Sequence, residues 1–371
     1  MGNPRRTAAY RLRRRALYRT LRVLLYIEKP MPKPRATFKQ HPADFRVAEQ
    51  IDFPLTGHGE HLWCYVEKTG LNTAWLKREW ARLTDCLPKD IAHSGLKDRH
   101  AITRQWLSLP AKYGAQLPDS GDGWQILERQ QNERKLRVGA HRYNQFAITL
   151  RDIDADRAHI EAALTALTRD GFPNHFGDQR FGHTNRDKAQ RWVERGQLPK
   201  KHDERAQVLS TLRADAYNAQ LDARLAAATL HAPQPGDRAM LAGSNSHFTI
   251  EAVDDALLAR LASGDIALGG WLPGKEKAPL PPAVTAWLEA ADATQQAAVR
   301  YLEKYADGGW RALTVRPRDL QYHWPDAHTL HLAFTLPRGS YATALLASLF
   351  DLHDASSANS PSDIPSRPQN P

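Results

Sequence analysis

Apolar and polar positions alternate or run apolar over several short stretches of this chain. In "DFRVAEQI" (44–51) and "FAITLRDI" (146–153) the spacing is that of strands, and Phe146, Ile148 and Leu150 oppose Ala147, Thr149 and Arg151. Period two sends one set of side chains to one sheet face, so both stretches predict half-buried strands. "HLWCYVEK" (61–68), "AITRQWLSL" (101–109), "RALTVRP" (311–317) and "HTLHLAFTL" (328–336) predict more, the last with Leu330, Leu332 and Phe334 on one side. "TAWLKREWARL" (73–83) places Leu76, Trp80 and Leu83 at helical spacing, with Asn72 or Thr73 as its cap. A second helix is predicted over 156–170, with Ile160, Leu164 and Leu167 on one face and Gly171 closing it.

From Gly171 the texture changes. A glycine-rich stretch leads to helical text at 186–195 and 203–228, then Pro/Gly-rich segments to Pro282 and two more helical stretches ending near Ala306. After the returning strands, "PRGS" leads into a closing helix with Ser340 as the expected N-cap. Strands, then helices, then strands again predict an α+β domain interrupted by a helix-rich insertion. The expected divisions are a basic extension over 1–34, a main domain over 35–170 plus 309–352, an insertion over 171–308, and a disordered Ser/Pro-rich tail over 353–371.

Charge changes this picture less than the total suggests. The net charge is +10, but residues 1–30 carry nine Arg and Lys against Glu28 alone, leaving +2 for the rest. A nucleic-acid reading therefore rests on local patches. The extension reads as a disordered tail or as a start-site artefact with Met31 as the first residue. No run approaches the ~18 apolar residues of a membrane span. The two cysteines, Cys64 and Cys86, form no disulfide framework and no metal-ligand spacing, which fits a reducing cytoplasm.

Most chemical motifs are missing. There is no phosphate-binding G-x-x-x-x-G-K-[ST] and no G-x-S-x-G elbow; "GGWLPGKE" has the wrong spacing. "GHGEH" contains the H-x-E of zinc deaminases without the P-C-x-x-C half, so no metal site is expected. What stands out is "HSGLKDRHAITRQWLSLP" (93–110), where Asp98 sits between Lys97 and Arg99 with Arg104 close behind. Such a carboxylate is an ion-paired turn or an acid kept ionised for chemistry.

Five stretches in order resemble the TruD family of tRNA pseudouridine synthases. They are "KQHPADFRVAE" with "GHGEHLWCYVEKTGLNT", then "SGLKDRHAITRQWLSL", "NQFAITLR", "GFPNHFGDQRFG" and "FTLPRGSYAT", and together they span roughly residues 35–350. The resemblance implies a pseudouridine-synthase-like catalytic domain with a mixed or antiparallel sheet, interrupted by an inserted TRUD domain. It implies isomerisation of uridine in tRNA, at position 13 of the D-arm, with no cofactor, no metal and no obligate protein partner.

Residue by residue, Asp98 matches the family's catalytic aspartate, attacking ribose C1′ or removing the C2′ proton. Phe45, Asn144 and Phe334 match its substrate-binding positions, and Phe146 falls where pseudouridine synthases place an aromatic against the base. Lys39, Lys97, Arg99 and Arg104 are the cations expected to pair with Asp98 or meet RNA, and Gln179 and Arg180 are further candidates for RNA contact. A tRNA-binding chaperone on the same fold, or the same chemistry on another RNA, are the competing readings. One departure is local: Ala347-Ser348 stands where the family pattern has Arg-Glu.

Overall fold

The structure, a computed structural model, describes residues 33–177, 181 and 184–357. Everything below belongs to the unit that begins at Arg35. First come β1 (Arg35–Phe38), β2 (Phe45–Gln50), β3 (His61–Thr69), α1 (Thr73–Thr84), β4 (Ala92–His93), β5 (Ile102–Pro110), β6 (Ser120–Gly121), β7 (Trp124–Asn132), β8 (Tyr143–Leu150) and α2 (Arg157–Asp170). The middle holds β9 (Phe172–Pro173), α3 (Asn185–Arg195), α4 (His202–Ala226), β10 (Arg238–Leu241), β11 (His247–Thr249), α5 (Asp255–Ser263), β12 (Ile266–Leu272), α6 (Pro282–Ala290), α7 (Ala293–Tyr305) and β13 (Gly309–Ala312). The chain closes with β14 (Thr314–Val315), β15 (Arg318–His323), β16 (Leu330–Pro337), α8 (Ala342–Leu349) and β17 (Asp351–Asp354).

The main sheet runs β15-β16-β8-β2-β5-β3-β7-β6, with β4 also on β5. Its β2–β5 pair is parallel and its other pairs are antiparallel, so the sheet is mixed. Alternation sets the faces. Phe45 and Val47 of β2, Phe146 and Ile148 of β8, and Leu332, Phe334 and Leu336 of β16 share one buried face with Ile160, Leu164 and Leu167 of α2 and Leu345 and Leu346 of α8. Burying each such side chain contributes about 1.5–3 kcal/mol. The other half of the sheet packs Cys64, Val66, Leu107 and Leu109 against Leu76 and Trp80 of α1. Asn72, not Thr73, caps α1: its side chain accepts from Trp75 N at 2.7 Å.

The middle section has its own sheet, β11-β10-β12-β13, covered by α4 through Tyr217 and Leu221. Gly270 of β12 makes that contact: a Cβ there would sit 2.7 Å from the Tyr217 ring.

The middle sheet ends at Ala312, because β13 pairs with β12. Residues 353 and 354, expected in the tail, belong to β17, which pairs in parallel with Arg35–Phe38. Ser340 does not cap the last helix; its N–H closes a turn on Pro337 O at 3.2 Å, and the N-cap position is Tyr341.

Candidate active site

The turn carrying Asp98 links β4 to β5 and is tied down from several directions. The buried Lys68, near the end of β3, donates to Asp98 O at 2.9 Å and also to Leu71 O. Thr73 Oγ1, at the start of α1, accepts from Lys97 N at 3.1 Å, and Gln105 Nε2 donates to Gly95 O at 3.4 Å. With its backbone held, Asp98 keeps a carboxylate that is 28% exposed, and Lys39 Nζ lies 3.1 Å from Oδ2. The Lys39 side chain is only 5% exposed, so this ion pair opens to solvent on the aspartate side. Lys39 itself has φ 57, a left-handed conformation that a non-glycine residue adopts at a cost of about 1–3 kcal/mol. Its ammonium stands 4.8 Å from the centre of the Phe45 ring and 3.9 Å from Asp354 Oδ2.

Burial pushes the Lys68 ammonium down to about 8; the Asp98 charge opposes this and the Lys97 charge adds to it. A neutral amine still has two N–H groups, enough for both carbonyls it serves.

Beside the turn lies a second, buried cluster. Glu49 of β2 is directly opposite Asn144 of β8 in the sheet register. Lys97 Nζ lies 3.0 Å from Glu49 Oε1 as an ion pair, off the line of a hydrogen bond, and donates to Asn144 Oδ1 at 2.7 Å. Glu49 Oε2 accepts from Trp106 N at 2.9 Å. Burial raises the Glu49 carboxyl, against the pull of the Lys97 charge and the Trp106 N–H. His141 closes the cluster: its Nδ1 is 2.6 Å from Ser94 Oγ, and its Nε2 is 3.4 Å from Asn144 Nδ2. Burial, with the charges of Lys97 and Arg338, lowers His141 to about 4, so its ring is neutral near pH 7.

The aromatic candidates form one run in the core. Phe146 and Phe334 are paired across β8 and β16 and stack at 5.3 Å and 26°. Phe45 meets Phe146 edge-on at 6.2 Å. Phe334 is fully buried behind Phe146, which retains 7% exposure. The run thus reaches from the core to Lys39, whose partner is Asp98.

Lys39, Phe45, Lys97, Asp98, Asn144, Phe146 and Phe334 are therefore linked. Three candidate cations have other partners: Lys97 meets Glu49 and Asn144, Arg104 is bound to Glu67 at 2.8 Å across β5 and β3, and Arg99 Nε donates to Gly70 O at 3.3 Å. Gln179 and Arg180 lie outside the described residues. Lys68, Glu49, Ser94 and His141 escaped the sequence reading. Two of them carried a signal: Glu49 keeps step with Phe45 and Val47, and Lys68 with Cys64 and Val66, so each is a charge at a buried strand position.

A family model described as tRNA pseudouridine synthase D matches residues 25–190 and 208–349, which hold every residue of this constellation. The chain belongs to the tRNA pseudouridine synthase D family. A relative of that name in Ectopseudomonas mendocina is 38% identical over 338 residues, covering 89% of this chain and 95% of its own. Another, in Nitrosococcus oceani, is 35% identical over 342 residues, covering 90% and 95%. The crystal structure of the family's protein from Methanosarcina mazei has the same fold, with a TM-score of 0.64 at 20% identity over 88% of this chain and 96% of that one. The family model leaves 191–207 unmatched, the end of α3 and the start of α4.

Proposed function

We propose that this chain converts uridine to pseudouridine in tRNA, at position 13 of the D-arm, with Asp98 as the nucleophile. Membership of the family makes it an isomerase acting on tRNA uridine; the position and the residue roles are our reading. The observation that carries the reading is the Lys39–Asp98 ion pair, held on a pinned turn with only its carboxylate side open to solvent.

In the reaction the bond from ribose C1′ to uracil N1 breaks, the base turns, and C1′ joins C5. The C5 proton leaves and N1 takes one up, so no atom is gained or lost. Asp98 attacks C1′ as the base departs, or removes the C2′ proton; on both routes its charged form is required, and Lys39 favours that form. The target uridine must leave its stack, at a cost of about a few kcal/mol. Phe45 and Phe146, backed by Phe334, supply an apolar wall for the base, and Asn144 supplies an amide for its polar edge.

Residues 171–308 serve as an inserted domain that grips the tRNA body, because one flipped base offers little surface for choosing a site. Among the described residues no helix is long and apolar enough to cross a membrane. Cys64 and Cys86 are buried free thiols, consistent with work in the cytoplasm. The test is to incubate the protein with unmodified tRNA transcripts and map pseudouridine by position. Product at uridine 13 is expected; product in another RNA, or binding without product, would overturn the reading.

A further inference from the structure

The buried cluster beside the catalytic turn fixes an atom assignment. Lys97 has only N–H donors, so the Asn144 atom 2.7 Å from its Nζ is the carbonyl Oδ1. The Asn144 amide nitrogen then faces His141 Nε2, at 3.4 Å. A donor facing that nitrogen requires it to be the unprotonated one, so Nδ1 carries the ring proton and donates to Ser94 Oγ, 2.6 Å away. Ser94 Oγ also accepts from His141 N at 2.8 Å. The neutrality of His141, lowered to about 4, agrees with this single-tautomer arrangement. Lys97 is placed in turn by Glu49, whose side chain is fully buried. Gly95 lets the turn close over the cluster, for a Cβ there would lie 2.9 Å from Glu49 Oε1 and 3.0 Å from His141 Cε1.

We infer that Glu49 and Ser94 are positioning residues that, through Lys97 and His141, lock the Asn144 amide in one of its two orientations and so set uracil over cytosine. The inference rests on the proposed role of Asn144 at the base. After Lys97 and His141 take their share, the amide keeps one Oδ1 lone pair and one N–H for a ligand. Uracil presents the N3–H donor beside carbonyl acceptors, and cytosine presents an N3 acceptor beside the N4 amino donor. A freely flipping amide matches either base; a locked one matches one. Uncoupling Lys97 from Glu49 removes the lock, whereas Asn144→Ala removes the reader.

The experiment uses full-length protein and two tRNA transcripts, one with uridine and one with cytidine at the target position. The uridine transcript gives kcat and KM, and the cytidine transcript gives an inhibition constant. Glu49→Gln is nearly isosteric and still offers Trp106 N an acceptor. Its expected effect is a fall of about tenfold in discrimination, the scale of one bidentate polar contact, with KM raised more than kcat is lowered. A purely structural Glu49 would lower the melting temperature and leave the discrimination unchanged. If Glu49→Gln does not fold, Ser94→Ala breaks the far end of the same chain and is read identically. Asn144→Ala separates the two claims. Should it keep discrimination, the proposed role of Asn144 fails. Should it lose discrimination while folded Glu49→Gln or Ser94→Ala retains it, Asn144 stands and the lock is refuted.

Discussion

Lys68→Met tests whether the turn carrying Asp98 is pinned by a lysine that folding would rather hold neutral. Lys68 is 1% exposed, and burial takes it from 10.5 to about 8. That depression corresponds to about 3 kcal/mol by which folding disfavours the ammonium. The folded protein releases this proton near pH 8 and the unfolded chain near 10.5, so between these the unfolded state binds more protons and stability rises with pH. Methionine fills similar volume and does not titrate. Denaturant unfolding of both proteins from pH 7 to 10.5 cancels the other ionising groups in the difference. The wild type should gain about 3 kcal/mol over the variant across that range. At pH 7 two bonds from a charged donor, about 1.5–3 kcal/mol each, are set against the relieved burial, so the variant should lose only about 1–2 kcal/mol. Its activity should fall much further, about 100-fold, because Asp98 loses its backbone anchor. A stability difference that stays flat with pH would refute the buried-charge reasoning. Unchanged activity would refute the pinning.

Lys39→Met removes the Lys39 ammonium beside Asp98 and should lower kcat about 100-fold with little change in tRNA affinity, measured by single-turnover kinetics beside a binding assay. Gly95→Ala drives a methyl against Glu49 and His141; melting should show a loss of about 1–3 kcal/mol, with activity lost in parallel. For Asp44, burial pushes the carboxyl up, but Arg151 at 2.8 Å and the His41 N–H overcome this and hold it below its usual range. Asp44→Asn should therefore cost about 1–2 kcal/mol near neutral pH, a modest figure because Arg151 is partly exposed. That difference should shrink below the usual carboxylate range and vanish only once acid has titrated Asp44 through its lowered value, which an unfolding series from pH 7 down through the acid range would check.

The strands and helices with clean periodicity were legible in the sequence because their burial is one-sided: Phe146, Ile148 and Leu150 alternate, and Ile160, Leu164 and Leu167 share one face of α2. The middle sheet was not. "IALGGWL" (266–272) is a strand whose Gly270 serves close packing by Tyr217, and this local text carries no period to read. Asp98 stood out through its motif. Its partner did not, since Lys39 is 59 residues away and only the fold chooses it over Lys97, Arg99 and Arg104. Glu49 and Lys68 each sat at a buried strand position, where a charge implies a specific partner. Attending to that phase would have exposed both.

The most direct test of the account is Asp98→Asn. The swap keeps shape and removes charge, so the variant should bind unmodified tRNA as the wild type does. Pseudouridine should form at the target position with the wild type and stay undetectable with the variant after the same incubation. Pseudouridine formed by Asp98→Asn at a rate near wild type would contradict the claim that this carboxylate carries the reaction.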